Sequence, residues 1–159
     1  MPTRLLDTTL LSNFAHLRRP DLLRLALGED IAATSLVMTE LRAGEVLGLV
    51  PVCDWDWLRV LEPTDDEHRL AVTLEQQLDP GEAECLAVAE TRGYTFLSDD
   101  FVARRLAQQR HVTVSGTLGV LLTLVHEAHL TVEEADSLLA VMMSHGYRSP
   151  VKSLSELLP

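Results

Sequence analysis

"YTFLSDDFVARRLAQQRHVTVS", residues 94–115, decides how the chain folds. "YTFLS" is a short apolar run of strand-forming residues, "FVARRLAQQR" repeats at helical spacing, and "HVTVS" returns to a strand. Strand, helix and strand in so short a span set the two strands parallel, joined by a right-handed crossover. Where the first strand hands over to the helix stand two adjacent aspartates, Asp99 and Asp100. One carboxylate is enough to cap a helix, because it accepts from orphan amides at the positive end of the dipole. The second needs another reason, and that reason depends on acids at the ends of other strands.

Upstream, "RLLD" at 4–7 is a short strand candidate, and "TTLLSNFAHL" follows with Leu10, Leu11, Phe14 and Leu17 at helical spacing. Pro20 opens a second helix, "DLLRLALG", which Gly28 closes. "IAAT" is the next strand candidate. "SLVMTELRAGEVLG" then carries Leu36, Val37, Glu40, Leu41, Ala43 and Leu47 on a helical period, with Thr34 or Ser35 as cap. "DWDWLRVLEP" reads as a loop with a short extended stretch ending at Pro63. "TDDEHRLAVTLEQQL" follows as a helix with a Thr64–Glu67 capping box, Pro80 and Gly81 interrupt, and "EAECLAVAETRG" makes a further helix ended by Gly93. Two more helices are expected near 117–128 and 132–144. Strands alternating with helices predict an α/β fold, a mostly parallel sheet covered on both faces, with chemistry at the carboxyl ends of the strands.

A length of 159 residues with 47% hydrophobic content fits one domain over 1–159 with a real core. No repeat, low-complexity tract or linker divides it. Cys53 and Cys85 have no CxxC spacing and no secretory signal ahead of them, so both are expected as buried thiols in a reducing cytosol. The longest apolar run, "GTLGVLLTLV", is about half of the roughly 20 residues a membrane span needs. A soluble, cytoplasmic protein follows. The net charge of −11 argues against a plain nucleic-acid binder, which normally presents a basic surface. The doublets Arg18–Arg19 and Arg104–Arg105 are either solvated surface or contacts to phosphate.

Asp7 stands at the carboxyl end of the first strand, and Asp99 and Asp100 stand at the same end of a later one. Glu40 lies on or beside the apolar stripe of its helix, and Glu84 precedes Cys85, Leu86 and Val88 in a helix of small or apolar residues, with Glu82 nearby. Caps account for the aspartates but not for two glutamates embedded in apolar segments. Converging carboxylates raise one another's pKa unless a cation neutralises them, so an assembled acid cluster points to a divalent metal. Mg²⁺ suits it best: the ion takes oxygen ligands, keeps several waters and lets substrate phosphates complete its shell. Such ions activate water and stabilise the leaving oxygen of a phosphodiester, and they reverse the local field where phosphate must approach.

The segments "LLDTTLLSNF", "VMTELRAG", "GEAECLAVAETRG", "FLSDDFVARRLA" and "VSGTLGVLLTLVHEAHLT", in that order, resemble PIN-domain ribonucleases, particularly the VapC-like branch with GEAE, paired DD and GTLG. The likeness spans nearly the whole chain. It implies a PIN-like three-layer α/β/α sandwich, an acidic pocket for Mg²⁺ or Mn²⁺, and endoribonuclease activity on RNA. Many members of that branch are toxins that form dimers and are held by a small antitoxin. By position the resemblance assigns metal-binding and catalytic roles to Asp7, Glu40, Glu84 and Asp100. Asp99 is an extra ligand or the cap, and Glu82, Thr9, Ser98 and Arg104 are secondary candidates. The family's third acid is usually Asp, so Glu at 84 lengthens that ligand arm. A metal-bound water attacking phosphorus in line would leave a 5′-phosphate and a 3′-hydroxyl.

The remaining motifs read as structure. "HEAH" at 126–129 is one residue short of HExxH, leaving His126 and His129 as helix-end cations. "SGTLG" lacks the Lys of a phosphate loop and fits a tight turn with close helix packing. Trp55 and Trp57 are either an exposed edge or a core anchor. An aspartyl-phosphate phosphatase would need an acid where Thr9 stands, and a receiver would need a lysine late in the fold, where only Lys152 occurs. The alternative function is a catalytically degenerate PIN-like domain serving as a protein-binding module.

Overall fold

Five short strands, β1 (Arg4–Leu6), β2 (Ile31–Thr34), β3 (Arg59–Leu61), β4 (Thr95–Leu97) and β5 (Val114–Ser115), form one sheet in the order β3-β2-β1-β4-β5. All four pairings are parallel. This computed structural model describes residues 2–159. The helices between and after the strands are α1 (Thr8–His16), α2 (Asp21–Leu27), α3 (Ser35–Val46), α4 (Asp65–Leu74), α5 (Pro80–Arg92), α6 (Phe101–Gln109), α7 (Thr117–His126) and α8 (Val132–Ser144). A short 3-10 helix, Leu154–Leu157, follows. The central strands of a parallel sheet are buried from both faces and read as apolar runs: Leu5, Leu6, Phe96 and Leu97 have no exposed surface, while the edge strand β3 is largely exposed.

The strand order locates the site. From β1 the chain steps outward to β2 and β3, then returns past β1 to β4 and continues to β5. Helices flank the sheet to give three layers, and α3 packs against both α1 and α5. The reversal between β1 and β4 opens a crevice at their carboxyl ends, where the connections diverge. β1 and β4 run in register, Leu6 opposite Leu97, so the residues that follow them emerge side by side.

α5 is the helix most deeply enclosed. Gly81, Ala83, Glu84, Cys85, Leu86, Ala87, Val88 and Ala89 are all buried, and the small side chains let it lie close on the sheet. Truncating Leu86 to Ala there would cost about 2–5 kcal/mol in lost burial and residual cavity. Glu67, fully buried on α4, accepts from Arg92 Nε at 2.9 Å and Nη2 at 2.8 Å, which clamps α4 to the end of α5.

The Thr64–Glu67 capping box forms as expected. Pro80 and Gly81 do not interrupt a helix: they open α5, with Asp79 as N-cap, because proline's fixed φ suits a first helical turn whose amide needs no partner. α4 correspondingly ends at Leu74 rather than Leu78, and α7 ends at His126, before Ala128 takes a positive φ of 61°. Trp55 is a core anchor, while Trp57 is half-buried with its indole N–H donating to the Asp54 carbonyl. Cys85 is buried and Cys53 half-buried, both as free thiols. No helix among the described residues is long and apolar enough to cross a membrane.

Candidate active site

Asp7 leaves β1 and immediately caps α1. Its amide donates to the Leu97 carbonyl at 3.1 Å, and its Oδ1 accepts from the Leu10 amide at 3.0 Å. Its other oxygen is buried and makes no hydrogen bond. Burial pushes this carboxyl up to about 7; the Ser98 hydroxyl and Leu10 amide offset part of that, while Asp99 and Asp79 add to it.

The paired aspartates divide their work. Asp100 is the N-cap of α6, its Oδ2 accepting from the Ala103 amide at 2.8 Å. Asp99 turns toward α1 and α7. It accepts from Asn13 Nδ2 at 2.9 Å, from the Thr117 amide at 2.8 Å and from the Thr117 hydroxyl at 2.5 Å. Burial raises Asp99 above the usual carboxylate range, against the opposing pull of Thr117, Arg104 and Asn13. Gly116 makes this approach possible, because a Cβ there would lie 2.6 Å from Asp99 Oδ1 and 2.7 Å from Arg104 Nη1. The spare aspartate therefore ties three elements together below the strand ends.

Glu40 reaches the site from α3. Its Oε2 accepts from the Thr8 hydroxyl at 2.6 Å, and its carboxylate lies over the first turn of α5 so closely that a Cβ on Gly81 would sit 2.4 Å from it. Burial raises Glu40, Thr8 and the Gly81 amide lower it, and Asp79 and Glu84 raise it further. Glu82 is pushed up to about 9 by burial, by its bond to Asp79, and by the charges of Asp79, Asp100 and Asp7. Glu84, on the next part of the helix, is 6% exposed; it has one buried oxygen without a partner and lies 4.0 Å from His68 Nδ1.

Asp7, Glu40, Glu82, Asp99 and Asp100 thus gather where β1 and β4 end, and Asp79, not singled out by its sequence context, joins them. Glu84 also acts on Glu40 through its charge, and its carboxylate approaches His68 of α4. Ser98 lies beneath Asp7 and accepts from the Asp100 amide at 3.2 Å; Arg104 donates to the Ser98 carbonyl at 2.9 Å. Thr9 is exposed, and lines a cavity of about 450 Å³ with Ser12, Asn13, Asp99, Asp100 and Tyr147 among others. Asn13, Thr117, Thr8 and Tyr147 had no signal in the sequence, since each acts through a partner distant in the chain.

The donor set suits a divalent cation. It is all oxygen, Asp7 has an orphaned buried oxygen, and Asp7, Glu40, Glu82 and Asp99 sit above their ordinary pKa with no basic side chain among the partners that shift Glu40 or Glu82. Among the described residues no three His, Cys, Asp or Glu side chains form a ready-made cage. An ion such as Mg²⁺, which keeps several waters and takes one or two carboxylates directly, does not need one.

A family model described as a PIN domain matches residues 3–159. No curated protein matches. Among solved structures, PAE2754 from Pyrobaculum aerophilum superposes with a TM-score of 0.51 at 22% identity, covering 81% of this chain and 98% of that one. At that identity the likeness speaks for the fold.

Proposed function

Because the chain belongs to the PIN-domain family, whose members are generally nucleases using divalent metals, we propose that it is a Mg²⁺- or Mn²⁺-dependent endoribonuclease. The observation that carries this reading is the set of raised carboxyls, Asp7, Glu40 and Glu82, gathered with Asp100 at the β1/β4 crevice. Carboxyls raised chiefly by burial, and further by one another's charge, favour a cation that neutralises them. A divalent ion held there would supply an activated water and charge stabilisation for phosphodiester hydrolysis.

Asp7, Glu40, Glu82 and Asp100 are the acids we assign to the metal. Glu82 is preferred over Glu84 because it shares a field with Asp7 and Asp100, whereas Glu84 lies beside His68. Thr8 and the Gly81 amide aim Glu40, and the Ser98 hydroxyl supports Asp7. Asp99 holds α1 and α7 in place and is a supporting residue. Arg104 is spent on the Ser98 carbonyl, so its role is to brace the turn below the acids rather than to reach phosphate.

The test is cleavage of a panel of single-stranded RNAs with Mn²⁺ against an EDTA control. Metal-dependent cuts leaving 5′-phosphate ends, lost in Asp7→Asn, support the reading; cleavage unaffected by EDTA or by that substitution defeats it. A toxin role, with a small antitoxin and a homodimer, extends the proposal, and copurification from the native host tests it. A catalytically silent partner platform is the second reading. The exposed apolar run Val46, Leu47, Leu49 and Val52 favours it, and RNA left intact at every metal concentration would support it.

A further inference from the structure

Seven of the twelve arginines are paired with carboxylates: Arg19, Arg24, Arg42, Arg59, Arg69, Arg92 and Arg110. Arg4 and Arg104 donate to backbone carbonyls. Arg148 is exposed and makes no hydrogen bond or ion pair among the described residues. It nevertheless stands beside the acids, in the segment that returns from the end of α8, and lines both the 450 Å³ cavity and a second one of about 370 Å³. Asp99 and Tyr147 line both as well. In a chain of net charge −11, a free guanidinium at this place has no internal function to account for it.

The larger cavity has a second distinct wall. Thr9, Ser12, Asn13 and His16 recur at helical spacing, forming one polar face of α1 that runs away from Asp7. The Thr9 and Ser12 hydroxyls make no internal hydrogen bond among the described residues. At the far end the His16 ring stacks on His145, centroids 4.4 Å apart and 6° from parallel. Burial and the neighbouring His145 hold His16 below the usual imidazole range, and Arg148 is the arginine that lines this wall. A volume of 450 Å³ is within the range of small-ligand pockets, about 300–1,000 Å³.

We propose that this cavity is a substrate subsite of the RNA strand: Arg148 binds the phosphate next to the scissile one, and that nucleotide lies along Thr9 and Ser12 with its base toward the His16–His145 stack. The arrangement follows how single strands are held, a cation on the backbone and ring faces or hydroxyls beside the base and sugar. It rests on the nuclease reading for its substrate, but it locates binding in residues that hold no metal. It also explains how an acidic protein engages a polyanion: local cationic contact at the cleavage site replaces a basic surface.

The experiment measures binding of a fluorescein-labelled 12-nucleotide RNA pool in EDTA, which withholds the metal that cleavage needs, across a salt series, alongside Mn²⁺-dependent cleavage of the same RNA. Arg148→Ala should weaken binding about tenfold and flatten the logarithmic salt slope by about 0.7, the share of one phosphate contact on a single strand. It should raise KM by a similar factor with kcat unchanged. His145→Ala should weaken binding less and leave the salt slope alone. Arg105→Ala, at another unpaired arginine on α6, is the control and should change neither. Wild-type binding and salt slope in Arg148→Ala overturn the subsite, as does failure of the wild-type protein to bind the pool at all. Binding that depends on Arg148 without any cleavage keeps the subsite and defeats the nuclease. A loss confined to capture of a partner protein, with RNA binding intact, also overturns it.

Discussion

Asp7→Asn offers a test of the acid cluster that needs no substrate. Asp7 has a folded pKa of about 7 against an ordinary 3.8. A carboxyl raised in this way adds stability that is fully present below 3.8 and is lost as pH rises through about 7. By pH 8 the ionised side chain opposes folding of the metal-free protein by about 4 kcal/mol, taking about 1.4 kcal/mol for each unit. Asparagine removes that cost and keeps an oxygen for the Leu10 amide. It also places an NH₂ where the partnerless oxygen lay, and an unsatisfied buried donor costs about 1–3 kcal/mol. The net expectation is a gain of about 1–3 kcal/mol, or roughly 2–12 °C in Tm for a domain of this size. At pH 5 the electrostatic gain falls to about 2 kcal/mol and the two effects nearly cancel. Thermal melts in EDTA at pH 8 and pH 5 read both numbers. Saturating Mn²⁺ should then raise the wild-type Tm at pH 8, by about 2.7 kcal/mol of stability at a hundredfold excess over Kd, and should leave the variant unmoved. An Asp7→Asn protein that melts below wild type at pH 8 in EDTA, or that gains as much from Mn²⁺, would refute the argument that Asp7 is an acid raised by burial and held for a cation.

Three further outcomes follow from the geometry. Glu82→Gln should lower Mn²⁺-dependent cleavage on the order of a hundredfold and raise the Mn²⁺ concentration needed, while Glu84→Gln should have a smaller effect; equal losses in a metal titration would reverse the assignment of the third ligand. Gly81→Ala should gain up to about 1 kcal/mol of helix propensity, yet its Cβ would meet the Glu40 carboxylate at 2.4 Å, so the expected result is a folded protein with impaired cleavage, seen by comparing circular dichroism with activity. Arg92→Met strands Glu67 in the core without its partner and should cost about 3–5 kcal/mol in urea unfolding at pH 7. Burial acts to raise Glu67, but Arg92 and the Thr64 amide hold it below its ordinary 4.5, so the wild-type advantage is present above pH 4.5 and declines as pH falls through the folded value.

The sequence by itself determined the elements and the rim. Periodicity separates helix from strand locally, and a strand–helix–strand span forces parallel pairing, so 94–115 was enough to announce the sheet and to put Asp99 and Asp100 at a strand end, as "RLLD" at 4–7 did for Asp7. Caps are likewise local: the Thr64–Glu67 box is written in four consecutive positions. Pro80 and Gly81 misled because a breaker inside a helix and a starter at N1 are the same two residues, and only the Asp79 side chain bonding to the Glu82 amide shows which is present.

What the tertiary structure decided is the division of labour among the acids. Adjacent residues such as Asp99 and Asp100 are equivalent in a one-dimensional pattern, but they leave the backbone in different directions, one to Thr117 and Asn13 across the fold and the other onto its own helix. The same holds for Glu82 and Glu84, two positions apart on α5 and therefore on different sides of it. Periodicity reports which face of a helix is apolar; which carboxylate meets another depends on helix placement over the sheet, and that is set by packing between residues as far apart as Asn13 and Asp99.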